Sequence, residues 1–341
     1  MMRFETTVRD FCPDQIFDCG QCFRWSREPD GSWTGIAGGR VANVKLIPGQ
    51  NPSAGQNPCA GQNPSAGGNP SAGQNPCAGT LVVSQAAGPA GETEESMEAF
   101  WREYLDLGRD YGRIKTALRQ ADPVMDRVIA AGEGIRILKQ DLWETMVSFI
   151  ISQNNNIPRI RGCIEALAKT YGQPAGEWNS PVAGPGGRML CSLPRPETLA
   201  CLTREDMDRC GMGYRGPYLI DTARQVLEAG GIDAAARDLE TAKAQGPEIL
   251  AEALRRFAGV GPKVAACIAL FGMQELSAFP VDVWMRRILS DLYGMDEKNV
   301  REMERRGRED FAPWGGVAQQ YLFFYARQNL SVSSQTLHKK E

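Results

Sequence analysis

Residues 22–47, CFRWSREPDGSWTGIAGGRVANVKLI, alternate aromatic or β-branched positions with polar ones, and the run is broken by Pro29-Asp30-Gly31 and Gly38-Gly39. A period of two with turn residues between the runs predicts strands, so residues 3–47 read as an antiparallel array. TLVVSQ at 80–85 adds a further strand. From Thr93 onward the period lengthens. ESMEAFWREYLDL (95–107) and QDLWETMVSFIISQ (140–153) carry their apolar residues along one helical face. IPRIRGCIEALAKTYG begins after an asparagine run and stops at Gly172. Further helices are expected over about 216–229, 246–257, 262–272, 283–293 and 316–328. The pattern predicts an α+β chain, with an N-terminal antiparallel β domain over 1–92, a mainly helical body over 93–330 and a disordered tail over 331–341.

Residues 49–78 break both periods. They are five hexapeptides, GQNPSA, GQNPCA, GQNPSA, GGNPSA and GQNPCA. With no large apolar residue to stack inside, they cannot build a β-helix core, and they read as a flexible insertion between neighbouring strands of one sheet.

The 341 residues are 42% hydrophobic and 23% charged, enough for a sizeable core. No run of about 18 apolar residues is present, and the first residues, MMRFETTVRDF, lack the apolar stretch of a secretory signal. The expectation is therefore a cytoplasmic protein, nucleoid-associated if bacterial, with reduced cysteines and no membrane contact. The ten cysteines are scattered; Cys19 and Cys22 form a lone CxxC with no second pair to complete a four-ligand metal site, so no metal is expected there. The single histidine, His338, lies in the polar tail, which excludes Ser-His-Asp and Cys-His catalysis. Whatever chemistry occurs must use Lys, Asp, Glu, Tyr or Cys. A net charge of −3 means that nucleic-acid binding would need a local patch and backbone amides.

LRRFAGVGPKVAACIALF (254–271) supplies such a patch. A helix ends, Gly259-Val260-Gly261 turns tightly, and Pro262 opens a new helix whose first amides point outward as a phosphate cradle. This is a helix-hairpin-helix pattern over about 247–271, although an ordinary helical corner also uses glycine at its turn. Lys263 stands at the head of a run of small apolar residues. Either it snorkels to solvent, or its amine is held in a semi-dry site as a nucleophile. Nineteen residues on, Asp282 follows Pro280-Val281 and precedes a helical run. Alone it is an N-cap; beside Lys263 it becomes a carboxylate able to stabilise a developing cation.

The motifs CGQCFRW, FIISQNNNIPRI, GMGYRGPY, GVGPKVAACI, PVDVWMRR and GVAQQYLFFYARQ, in this order from about Phe11 to Gln328, resemble the 8-oxoguanine DNA glycosylases of the helix-hairpin-helix superfamily. The resemblance implies a TBP-like β domain, a glycosylase body, and excision of 8-oxoguanine from double-stranded DNA followed by strand nicking. It implies that Lys263 attacks the sugar C1′ and that Asp282 assists. The Gly20 carbonyl would accept the N7 hydrogen that distinguishes 8-oxoguanine from guanine. Cys267 and Phe323 would sandwich the lesion, Gln319 would read its Watson–Crick edge, and Pro280 would line its pocket. Asn154, Tyr214, Arg159 and Arg215 would fill the vacated duplex and read the orphaned cytosine, with Gly259, Gly261 and Arg286 on the DNA backbone. No cofactor is implied beyond a cation at the helix-hairpin-helix turn, and a monomer is expected. Trp284 stands where some members carry a histidine on the lesion's phosphate, and an indole can offer only a neutral N–H. Two other readings remain at this point: a monofunctional glycosylase of the same fold for alkylated bases, and a non-catalytic DNA-binding module.

Overall fold

The computed structural model describes residues 1–50, 74–179 and 187–337. Its first 92 residues hold β1 (Met2–Val8), a short helix α1 (Pro13–Phe17), β2 (Trp25–Arg27), β3 (Trp33–Ala37), β4 (Arg40–Gln50) and β5 (Gln74–Ala87). The strands form one antiparallel sheet in the order β1-β5-β4-β3-β2. The alternation predicted the strands; α1 was not foreseen, because its five residues are too few to display a helical period. One face of the sheet is closed by α2 (Glu94–Tyr104), which starts in a capping box built from Thr93 and Ser96. Between them Phe17, Trp25, Trp101 and Leu138 are fully enclosed, and Phe17 stacks on Trp25 at 4.2 Å between ring centroids. The indoles enter this core only with partners: Trp25 donates to the Tyr104 hydroxyl and Trp101 to the Gln85 amide.

The hexapeptide tract joins β4 to β5, neighbouring antiparallel strands, as expected of an insertion within one sheet. Its expected limits need correction. Gly49 pairs with Asn75 and Gln50 with Gln74, so both ends of the repeat are strand, and Cys77 is buried. Ladder hydrogen bonds need no side chain, so low-complexity sequence can carry them. Residues 51–73 lie outside the described residues.

The body continues with α3 (Tyr111–Ala121), α4 (Met125–Ala131), α5 (Leu142–Ile151) and α6 (Ile157–Tyr171). A hairpin follows, β6 (Pro174–Trp178) and β7 (Arg188–Cys191), then α7 (Pro196–Ala200), α8 (Arg204–Arg209), α9 (Arg215–Glu228) and α10 (Ile232–Gln245). The remainder is α11 (Pro247–Leu254), α12 (Pro262–Gly272), α13 (Val283–Tyr293), α14 (Val300–Asp310) and α15 (Gly315–Leu337). A second apolar core runs through these helices from Ile114 to Ala326. α15 continues to Leu337, so the tail expected to be disordered from 331 is helical over its first seven residues; residues 338–341 are outside the described residues. The tract QNLSVSSQT has no apolar period of its own and gave no helix signal.

The two parts interlock. Trp178 and Leu190 of the β6–β7 hairpin pack on Ile36 and Val41 of the first sheet. Arg136, buried between α4 and α5, donates to the backbone carbonyls of Arg9, Asp10, Asp106 and Arg109, and its guanidinium lies 4.6 Å from the Tyr111 ring centroid. A buried cation with this many acceptors is satisfied without a carboxylate partner. At the seam the Gly20 turn meets α15.

Candidate active site

α11 and α12 are joined through Gly259, whose φ of +74° is left-handed; a Cβ there would sit 2.6 Å from the Tyr218 Cβ. Gly259 is thus required by the protein's own packing. Gly261, the N-cap of α12, differs: a side chain there would meet nothing within 4 Å. Any need for its smallness must come from outside the chain. The first amides of α12 emerge beside it with Pro262 in the first turn.

Lys263 follows at once. It is half-buried, with Nζ 5.3 Å from the centroid of Phe149, which in turn stacks on Phe271 at 5.4 Å. The ammonium therefore looks onto an aromatic face rather than into open water. Cys267 lies one turn further along α12, where burial pushes its thiol pKa up against the opposing pull of the Lys263 charge. That makes Cys267 a soft apolar surface and a poor nucleophile.

Asp282 is the N-cap of α13: its Oδ1 accepts from the Met285 amide at 2.9 Å. The cap is observed, and the capping carboxylate also lines the Lys263 pocket. Among the described residues Asp282 and Lys263 form no ion pair, which leaves the space between them open.

The opposite wall comes from Gly20, Pro280, Gln319 and Phe323, with Cys267 on the Lys263 side. Gln319 is 5% exposed and its Oε1 has no hydrogen-bond partner. A buried acceptor left open costs on the order of 1–3 kcal/mol, and this one belongs to a residue of the pocket lining. The pocket also contains residues that sequence reading passed over: Cys19, Phe149, Phe271 and Gln320. Phe149 and Phe271 lie in helical apolar runs, where a wall of a site and a core residue look alike. Gln320 was detectable, as a second amide beside Gln319 in an apolar helix.

The residues expected on the DNA side separate into two groups. Asn154 and Arg159 are exposed; Asn154 has a φ of +46° in the turn between α5 and α6, while Asn156 caps α6 by accepting from the Arg159 amide at 3.0 Å. Tyr214 is 49% exposed and donates to the Gln153 carbonyl at 3.1 Å. Arg215 is buried, and its guanidinium donates to the carbonyls of Gln153 and Asn154 (2.8 Å to the latter) under the Tyr214 ring. The left-handed Asn154 turn leaves these carbonyls without helical partners, and Arg215 meets that need, so it props the turn rather than presenting a free fork. Arg286 stands on the first turn of α13, outside the pocket lining. Trp284 packs against the helical core with the Arg287 guanidinium 5.8 Å from its ring.

Cys19 and Cys22 are buried, and burial drives both thiols up, Cys19 to about 12. No group of three or more metal-ligating side chains occurs among the described residues, and no described helix is long and apolar enough to cross a membrane.

This fold and pocket define a helix-hairpin-helix base-excision glycosylase. Residues 3–146 match the N-terminal domain of 8-oxoguanine DNA glycosylase, and residues 147–313 match the HhH-GPD superfamily of base excision DNA repair proteins. A probable N-glycosylase/DNA lyase of Methanothermobacter thermautotrophicus is 30% identical over 67% of this chain and 74% of its own. The solved 8-oxoguanine glycosylase/lyase of Clostridium acetobutylicum, in complex with double-stranded DNA containing cytosine opposite 8-oxoG, is 34% identical with a TM-score of 0.75, covering 96% of this chain and 98% of that one. A structure of MBOgg1 with a low-affinity DNA ligand is 34% identical with a TM-score of 0.76, covering 96% of both chains. The chain belongs to the 8-oxoguanine DNA glycosylase family.

Proposed function

We propose that this protein excises 8-oxoguanine from duplex DNA and then nicks the strand at the resulting site. The observation that carries this reading is the convergence, in one pocket, of Lys263, Asp282, Gly20, Cys267, Gln319 and Phe323 from four separate chain segments. A flipped base needs two faces and an edge reader, which Cys267, Phe323 and the open Gln319 acceptor supply. The Lys263 amine attacks C1′ as the N-glycosidic bond breaks; the bonding electrons leave with the base, which takes up a proton. The Asp282 carboxylate, at the N-terminus of α13, stabilises the cationic sugar. The amine–sugar adduct opens to a Schiff base, and loss of the C2′ proton expels the 3′ phosphate. Nothing in this sequence calls on a cofactor, and the protein acts as a monomer, with a cation accommodated at the Gly259–Gly261 turn. In a bacterial host this is work on the nucleoid, in the cytoplasm.

Incubation with duplex containing 8-oxoguanine, followed by borohydride reduction, tests this reading. A covalent adduct at Lys263 supports it. Base release with no adduct would favour the monofunctional alkylated-base alternative, in which the carboxylate activates water, and binding without either would favour a non-catalytic module.

Two further outcomes follow. Gly261→Ala should shift stability by less than about 1 kcal/mol, because a methyl group there meets no protein atom. Duplex affinity should nonetheless drop about tenfold, because the crowding is against DNA phosphate; retained affinity in a filter-binding or anisotropy titration would refute the phosphate-clamp role. Arg159→Ala should relax the preference for cytosine opposite the lesion by roughly 1–3 kcal/mol, the worth of one fork contact to a base edge. Arg215→Ala should slow excision opposite all four bases alike, since it removes the prop of the Asn154 turn. Single-turnover rates against the four opposing bases separate the two roles.

A further inference from the structure

We infer that Gln320 and Gln140 are positioning residues for lesion discrimination, acting by locking the backbone on either side of Gly20. The inference deepens the function proposed above and rests on it.

Most carbonyls along the Gly20 turn would be free to move without side-chain partners, since α1 ends at Phe17 and β2 begins only at Trp25. Those immediately around Gly20, from Ile16 to Cys19 and at Gln21, are instead held one by one. The Ile16 carbonyl accepts from Gln21 Nε2 at 3.0 Å and from the Cys19 thiol. The Phe17 carbonyl accepts from Arg161 and the Cys22 thiol, and the Asp18 carbonyl from Arg327. The Cys19 carbonyl accepts from Gln320 Nε2 at 2.6 Å, and the Gln21 carbonyl from Gln140 Nε2 at 2.7 Å. Among the described residues no donor reaches the carbonyl of Gly20. Of the carbonyls from Ile16 to Gln21 it is the one left open among the described residues, and Gly20 lines the pocket.

Gly20 has a φ of +81°, a region open to glycine and costly for other residues. The same freedom lets a glycine peptide plane swing. Discrimination cannot tolerate that motion. Guanine and 8-oxoguanine differ here in whether N7 carries a hydrogen, so a fixed carbonyl binds one and repels the lone pair of the other. A carbonyl able to turn away would still accept guanine. The plane is pinned from before by Gln320 on α15 and from after by Gln140, with the Gln21 side chain bonded to Ile16, Arg136 and Leu138. Gln320 is 2% exposed and makes its bond across 301 residues of sequence, a costly placement for an amide with only a packing role.

The test uses the Lys263→Gln protein, which binds without cutting, titrated with duplexes carrying 8-oxoguanine or guanine opposite cytosine. Adding Gln320→Leu, which keeps the side-chain size but removes the donor, should lower the 8-oxoguanine-to-guanine affinity ratio about tenfold, mainly by strengthening guanine binding. Gln140→Leu, at a half-buried and more tolerant position, should do the same. Gln140→Leu, outside the pocket lining and made with Lys263 intact, is also assayed for the borohydride adduct on an abasic-site duplex, which carries no base for Gly20 to read. A ratio unchanged in both variants overturns the inference, as does a loss of abasic adduct matching the loss of ratio. A Lys263→Gln parent with no preference for 8-oxoguanine overturns the functional reading itself, and this one with it.

Discussion

Lys263→Gln should remove the borohydride-trapped adduct completely and slow base release by at least about a thousandfold, the scale seen when a covalent nucleophile is deleted. The loss is chemical rather than structural. Lys263 is half-buried and caps no helix; what the fold loses is its cation over Phe149, worth roughly 0.5–1 kcal/mol. Glutamine fits the space and fills the aromatic shelf without a nucleophilic nitrogen. Duplex affinity should therefore stay within about threefold of the parent, less than 1 kcal/mol. An adduct that survives the substitution would reassign the nucleophile. A protein that loses binding along with rate would make Lys263 a structural residue.

The second large effect divides by the choice of replacement. Asp282 holds two roles, as cap of α13 and as the anion facing Lys263. Asparagine caps helices about as well as aspartate, so Asp282→Asn should leave the melting temperature nearly unchanged while excision falls about 100- to 1000-fold, the usual worth of one electrostatic stabiliser. Asp282→Ala should lose the rate and, in addition, about 1 kcal/mol of stability with the cap. Thermal unfolding beside single-turnover excision reads both. If asparagine restores the rate, the carboxylate charge has no catalytic part.

Lys263 and Asp282 were legible in the sequence because backbone constraints announce them. Proline opens α12 and precedes α13, glycine closes the turn before Lys263, and both helices have the limits expected, Pro262–Gly272 and Val283–Tyr293. The strands were legible by alternation, but the outer hexapeptides, with no alternation to show, pair as strand at Gly49–Gln50 and Gln74–Asn75. Other elements carried weaker signals. α14 is VREMERRGRED, so charged that its two inward residues, Met303 and Gly307, hardly register as a stripe. The β6–β7 hairpin is too short to show a period, and its packing on the first sheet is a tertiary fact. The burial of Arg215 was not legible, because a sequence records the charge of a guanidinium but not the carbonyls that claim it. Phe149 and Phe271 were passed over because pocket walls and core share a composition.

The joining of Gln320 to the Cys19 carbonyl across 301 residues bears on how the enzyme comes into being. One wall of the pocket is made early in synthesis and the other, with Gln319 and Phe323, near the end. A nascent chain can complete its sheet while still on the ribosome, but it has no lesion pocket until α15 has emerged. Contacts so distant along the chain form late, after most of the ordering entropy has been met. The helix that completes the pocket also completes the second core, where Val317, Ala318, Tyr321, Leu322 and Ala326 are fully buried, so loss of α15 would take the packing of the body together with its reader.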